Sequence, residues 1–115
     1  MSDGAAKFTP EERRILRRLA NAAHDAEVGR ALVELDAEFV KWRAGETANA
    51  DLLVAIHGFH QHESRDLWSL YQSGDELVLA VRGLARGLVT WDGVPAALKE
   101  KLASAVDGAV TSERS

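Results

Sequence analysis

Three of the four histidines of this chain lie within six residues, in the segment from Ile56 to Glu63. On a helix, His60 and Glu63 project side by side because they are three positions apart. Neutral imidazole and carboxylate together suit iron, manganese or zinc. The spacing therefore makes a divalent transition metal site conceivable, with His60 and Glu63 as ligands and His57 as a third.

A structural explanation of the same pair competes with metal binding. A uniform helical wheel places His60 and Glu63 near the centre of an apolar face, where an unpaired imidazole or carboxylate would be costly. The two side chains can satisfy each other, or an arginine across a helix interface, and so fix packing register. The His60-x-x-Glu63 pattern occurs once, and a complete metal site would need further ligands. We therefore prefer the structural explanation and expect no resident cofactor.

Catalytic motifs are missing from the 115 residues. The chain has no cysteine, which excludes thiol nucleophiles, disulfides and cysteine-ligated metals. It also lacks a Gly-x-Ser-x-Gly elbow and the glycine motifs that cradle phosphates. We expect a protein that is not an enzyme.

The elements that must position these residues all carry helical signals. Thr9 and Glu12 form a capping box that begins a first helix. Near residues 24–29 its apolar stripe changes sides, because the next apolar set points to the opposite side of the wheel: Val28, Leu32, Leu35, Phe39 and Trp42. This change predicts a turn there; the alternative is one long helix that buries opposite faces against different partners. Further helices are predicted from about 48 to 71, from the capping box of Ser73 and Glu76 to Trp91, and from Pro95 onward.

Strand signals are absent, so the predicted fold is all-α: a compact bundle of four or five helices with short turns and antiparallel neighbours. We expect one domain over residues 1–115, with frayed termini at 1–8 and 111–115. Gly83 and Gly87, four residues apart, form with Ala80 a small patch that predicts a tight helix crossing.

Aromatic side chains near helix ends are candidate interface or pocket residues. They lie in or beside apolar stripes with spacings of four and three residues. A single chain of this size buries only about two-thirds of its unfolded surface, so we expect a homo-oligomer to cover the rest. The candidates are Trp42, Phe59, Trp68, Tyr71 and Trp91.

The charge distribution argues against a broad nucleic-acid surface. Residues 1–20 carry five basic and three acidic side chains, a balance of +2, and the whole chain is −4, so the remainder sums to −6. A local contact through the basic side chains of the first helix, Arg14 and Arg17 among them, stays an alternative. The longest apolar runs are five residues, against the roughly 20 that span a membrane, and residues 1–7 lack a secretory signal. We expect a cytoplasmic protein.

These observations favour a small cytoplasmic helical interaction or scaffold protein that self-associates. The first alternative is a metal-binding helical bundle that uses the His60-x-x-Glu63 pair. The second is a small helical regulator that binds nucleic acid or a partner protein.

Overall fold

The computed structural model describes residues 8–114, with the side chains of His62, Glu63, Ser73, Glu113 and Arg114 left outside that description. Within it the all-α prediction is confirmed, and no residue is in a strand. The helices are α1 (Pro10–Arg43), α2 (Asn49–Gly58), α3 (Arg65–Ser73), α4 (Glu76–Ala85) and α5 (Ala96–Arg114). A π-helical segment, Phe59–Ser64, joins α2 to α3 without a break.

The predicted capping box at the start of α1 is confirmed. The Thr9 N–H donates to Oε1 of Glu12 over 3.0 Å, and the Glu12 N–H donates to Oγ1 of Thr9 over 3.0 Å. Nζ of Lys101, on α5, lies 2.6 Å from the same carboxylate. The Lys101 ammonium, followed by the Thr9 N–H, lowers the pKa of Glu12 below its ordinary value. This buried carboxylate therefore ties the start of α1 to α5.

The predicted turn at residues 24–29 is wrong, because α1 runs through it without interruption. Gly29 is the only helix breaker in that stretch, and one glycine costs a helix only about 1 kcal/mol. The change of apolar stripe has another cause: the chain divides into two compact units at this point. Unit 1 contains the described residues up to Ala23 and from Gly74 onward, and unit 2 is His24–Ser73. A single domain over residues 1–115 stays a prediction.

Unit 1 encloses an apolar core between the first part of α1, α4 and α5. Leu98 and Leu102 are its largest fully buried side chains. The predicted tight crossing is confirmed at Gly83, because a Cβ on this residue would lie 2.7 Å from the Cβ of Ala23 on α1. It is wrong for Gly87, which lies beyond the end of α4 with open space around it. The buried cluster comprises Leu16, Leu19, Ala80, Leu84, Leu98, Leu102 and Val106.

The ends of α4 and α5 differ from the sequence predictions. The expected helix to Trp91 is wrong: α4 ends at Ala85, and Gly87 adopts the left-handed conformation with φ 72° that closes it. At its start the cap is Asp75, whose side chain accepts from the Leu77 N–H over 2.7 Å. Helix α5 continues through residues 111–114, where the sequence predicted a frayed tail. The predicted fraying of residues 1–8 is wrong for Phe8, which is half-buried against the core, and residues 1–7 lie outside the described residues.

Unit 2 is an antiparallel hairpin of the second part of α1 and the continuous helix α2–α3. Near the connecting turn, the Trp42 Nε1–H donates to Oδ1 of Asn49 over 2.6 Å. At the far end, the Tyr71 hydroxyl donates to Oε1 of Glu27 over 2.9 Å. Residue numbers fall along α1 as they rise along the second helix, so the two run antiparallel, as predicted for neighbouring helices.

Among the described residues, no helix has both the length and the apolar character that a bilayer-spanning segment requires.

Candidate functional site

The π-helical segment changes where the histidines point. A π-turn takes up one residue more than an α-turn, so a wheel with 100° per residue misplaces residues across Phe59–Ser64. The expected position of His60 at the centre of a buried face is wrong, since His60 is exposed, as is His57. The Glu63 side chain lies outside the described residues, so its pairing with His60 stays a prediction.

Among the side chains that the structure describes, no three His, Asp or Glu residues lie close enough together to hold a metal ion. That set includes His57 and His60 and leaves out Glu63. A site that uses all three residues therefore stays a prediction, and the histidines supply no geometry on which to build it.

The aromatic candidates fall into two groups. Trp91 belongs to unit 1, where it is half-buried against the core and Nζ of Lys99 lies 5.5 Å from its ring centroid. The other four belong to unit 2. Phe59 is half-buried and lines a cleft between α1 and the second helix, whereas Trp42 and Trp68 are exposed, Trp68 by 62%. The structure thus separates Trp91 from the rest.

Tyr71 belongs to a cluster that the sequence analysis missed. Its ring stacks on His24 with centroids 4.6 Å apart, and its hydroxyl donates to Glu27. His24 and Glu27 are three residues apart on α1, which is a visible signal, but their partner is more than 40 residues away. All three side chains are half-buried. The cluster holds the two helices together at the open end of the hairpin, opposite the connecting turn.

An apolar stripe follows the exposed side of α1 in unit 2. Leu32, Val33, Ala37 and Val40 are all exposed and recur with helical spacing, with Asp36 among them. The predicted inward position of Leu32 is wrong, since this side chain is 49% exposed. We call these five residues the α1 stripe. In the sequence, these apolar positions form a second helical set on α1, interleaved with the set that faces inward.

A matching stripe lies on α2. Ala50, Leu53, Val54 and His57 follow the i, i+3, i+4, i+7 pattern and are all exposed, Leu53 by 66% and Val54 by 69%. We call these residues the α2 stripe. His57, first considered as a metal ligand, is therefore the polar member of an apolar surface.

The two stripes lie on the same side of the hairpin. On α1 the inward side is marked by the buried Ala31 and the half-buried Leu35, and on α2 by Leu52 and Ile56. On an ideal wheel the α1 stripe is turned from its inward side by roughly 150° and the α2 stripe by roughly 130°, in the same rotational sense along the chain. Because the helices are antiparallel, these similar rotations turn both stripes toward one face of the hairpin, near its outer edges.

Unit 1 has an apolar feature of its own, a groove between α4 and α5. Its volume is about 610 Å³, and Leu77, Val81, Ala105 and Ala109 contribute to its lining. Val78, at the same groove, is 59% exposed. This groove and the hairpin face are the two candidate binding surfaces in the described part of the chain.

The basic side chains of α1 have an acidic neighbour within unit 1. Nε of Arg17 lies 2.8 Å from Oε2 of Glu76, which is the first residue of α4. Both side chains are largely exposed, so this ion pair contributes little to stability. It partly neutralises the surface that the sequence analysis weighed for nucleic acid.

Comparison with known proteins adds no family and no function. The chain matches no family model, and no curated protein or solved structure is significantly similar to it.

Proposed function

We propose that this protein is a self-associating helical interaction module and that unit 2 supplies the interface. One observation carries the proposal. Of the eight large apolar side chains exposed in the described part of the chain, seven belong to unit 2 and only Val78 to unit 1. The seven are Leu32, Val33, Val40, Trp42, Leu53, Val54 and Trp68.

The architecture of unit 2 explains why these side chains have no cover within the hairpin. Two antiparallel helices pack against each other along one side only. Among the described residues of unit 2, this packing buries the apolar side chains of Ala31 and Leu52. The face that carries both stripes has no third helix of unit 2 against it. A second hairpin would complete a four-helix bundle, in which every helix has two neighbours.

The stripes expose an apolar surface of the size that forms the centre of an interface. Five of the seven side chains belong to the stripes, and at on the order of 100 Å² each they present roughly 500 Å² of the ~800 Å² that each partner contributes to a standard interface. Monomeric proteins rarely expose contiguous apolar patches larger than a few hundred Å². A second copy of the chain is the occupant that supplies a surface of the same kind.

Two accompanying proposals rest on the sequence. We propose a cytoplasmic location, which suits a chain without cysteine. We assign no catalytic role. Metal binding through His57, His60 and Glu63, and nucleic-acid binding through the arginines of α1, stay predictions that no contact among the described residues favours.

Sedimentation velocity over a range of chain concentrations tests the proposal. The wild-type chain is expected to dimerise at tens of micromolar, and Val54→Asp to weaken association by about 100-fold or more, because it buries a charge in an apolar contact. Val78→Asp is the matched control: it changes a valine that is 59% exposed, against 69% for Val54, on a helix of unit 1 and should leave association unchanged. Circular dichroism checks that each variant stays helical.

Two results would overturn the proposal. One is a wild-type chain that stays monomeric at several hundred micromolar. The other is a loss of association in Val78→Asp that equals or exceeds the loss in Val54→Asp, which would place the interface at the groove of unit 1.

A further inference from the structure

We infer that two copies pair about a two-fold axis parallel to the hairpin helices, so that each α1 stripe packs on the partner's α2 stripe and Asp36 meets the partner's His57. The inference rests on the proposed self-association and specifies its geometry. It follows from the placement of the two stripes, the register of the hairpin and the positions of the two polar residues.

Symmetry leaves two ways to stack the hairpins through their striped faces. Homodimers are predominantly two-fold symmetric, and each surface patch then contacts the partner in a reciprocal manner. An axis parallel to the helices places α1 over the partner's α2. An axis across the helices, in the plane of the interface, places α1 over the partner's α1 and α2 over the partner's α2.

The hairpin itself gives the register of the parallel-axis dimer. The cleft between its helices is lined by Leu35 and Glu38 from α1 and by Ala55 and Gly58 from α2. In an antiparallel pair, this lining puts Glu38 roughly level with Ala55. Asp36 lies two residues before Glu38 and His57 two residues after Ala55, so these two are level as well.

A two-fold axis parallel to the helices keeps every residue at its height along them. Each residue of α1 is level with one residue of α2 in its own hairpin. In the dimer it therefore contacts the same α2 residue of the partner. Asp36 meets the partner's His57, and by the same step in the other direction Val40 meets the partner's Leu53. The contact of Val40 with the partner's Leu53 would lie about one helical turn from the polar pair and shield it from solvent on that side.

Charge selects this axis over the crossed one. Asp36 lies at the middle of the α1 stripe, between Leu32 and Val40. The crossed axis centred on that stripe would press Asp36 against its own copy, and two carboxylates in an apolar contact repel each other. The parallel axis instead gives each carboxylate an imidazole, whose ring N–H can donate to it in either protonation state.

Such a polar pair within an apolar seam determines register and partner. A single polar residue at a core position of paired helices specifies alignment at some cost in stability. Asp36 and His57 are both exposed in the single chain, so neither is strained before association. The pair would therefore favour a second copy in one register.

A charge exchange tests the pairing. Asp36→His and His57→Asp should each weaken dimerisation by about 10-fold, since each places like groups opposite one another. The double variant exchanges the partners and should return to within about 3-fold of wild type. Asp51→His, on α2 but turned away from the stripe, is the control and should have no effect.

Disulfide trapping tests the axis directly, because the chain has no cysteine of its own. A chain with Val40→Cys, mixed with a chain with Leu53→Cys and oxidised with glutathione disulfide, should form a mixed dimer. A mixture of Val40→Cys with Leu32→Cys reports the crossed axis and should not. Val78→Cys with Leu53→Cys serves as the unreactive control.

The outcomes separate this inference from the proposed function. Preferential trapping of positions 32 and 40, or a double variant no better than the single variants, would overturn the inference in a protein that still dimerises. A wild-type chain that never associates would overturn the proposed function itself.

Discussion

The two units of this chain use their apolar side chains in opposite ways. Unit 1 buries Leu98 and Leu102 completely, whereas unit 2 buries no side chain larger than Leu52 among the described residues and leaves Val54 69% exposed. The difference follows from helix number. Three helical segments enclose a volume in unit 1, but two helices in unit 2 share only one contact. The lesson is that a helical hairpin with apolar residues on a second face is an incomplete core.

The two units also differ in formal charge. Residues 24–73 carry nine acidic and four basic side chains and all four histidines, and the rest of the chain carries nine acidic and ten basic ones. Unit 2 therefore has a formal charge of −5. In the proposed dimer the apolar face would have to overcome this repulsion, and the proposed contact of Asp36 with the partner's His57 would help to select one arrangement.

Removal of a core side chain should produce the largest contrast between the units. We expect Leu98→Ala to lower the free energy of unfolding by about 2–5 kcal/mol, since Leu98 is fully buried. Leu53→Ala, at a chain concentration where the protein is monomeric, should change it by less than about 0.5 kcal/mol. Urea unfolding followed by circular dichroism measures both. Equal losses would mean that the hairpin face is already covered within one chain.

The helix crossing at Gly83 offers a smaller test of packing in unit 1. Gly83→Ala places a methyl group 2.7 Å from the Cβ of Ala23 and should destabilise the protein by about 1–3 kcal/mol. Gly108→Ala is the matched control: it adds the same group to open space on α5 and should stabilise by about 0.5–1 kcal/mol. A stabilising Gly83→Ala would contradict the close approach of α1 and α4. Thermal unfolding measures both variants.

The polar contact at the far end of the hairpin tests unit 2. Tyr71→Phe keeps the stack on His24 and removes the hydrogen bond to Glu27, which should cost about 0.5–1.5 kcal/mol. Tyr71→Leu removes the stack as well and should cost more. Urea unfolding of the monomeric protein measures the two losses. If Tyr71→Phe is neutral, the hydroxyl contributes nothing to closing the hairpin.

Acid should destabilise unit 1 through Glu12. The pKa of this carboxyl is held below its ordinary value by Lys101 and then by the Thr9 N–H. Its contribution is complete above the carboxyl range of the unfolded chain and is lost as the pH falls through the lowered folded pKa. Between pH of about 5 and 3, Glu12→Gln should therefore flatten the decline in stability. Glu11→Gln, its exposed neighbour, should leave the decline as in wild type.

Local signals allowed much of unit 1 to be predicted. The Thr9 and Glu12 capping box and the close approach at Gly83 depend on residue types that favour one local geometry, and the structure confirms both. The end of α4 could have been inferred from Gly87, whose positive φ closes the helix. It was missed because apolar spacing continues beyond it, to Leu88 and Trp91.

Unit 2 was harder to predict because its signals depend on context. An apolar stripe changes sides both where the chain turns and where one helix contributes to two units, so the sequence pattern alone does not distinguish them. Helix α1 is one helix that contributes to both units. The π-helical segment adds a residue that no periodicity reveals, so His60 was placed inside when it is exposed. Leu32 was counted inward because a sequence pattern does not show how many helices surround a stripe.

Hydrogen–deuterium exchange of the wild-type chain at two concentrations, below and above the dimerisation midpoint, tests the central claim most directly. The account predicts that amides of α2 and of α1 beyond Ala31 gain protection in the concentrated sample, while those of α4 and α5 exchange equally in both. Protection that does not change with concentration in unit 2, or that rises only in α4 and α5, would contradict it.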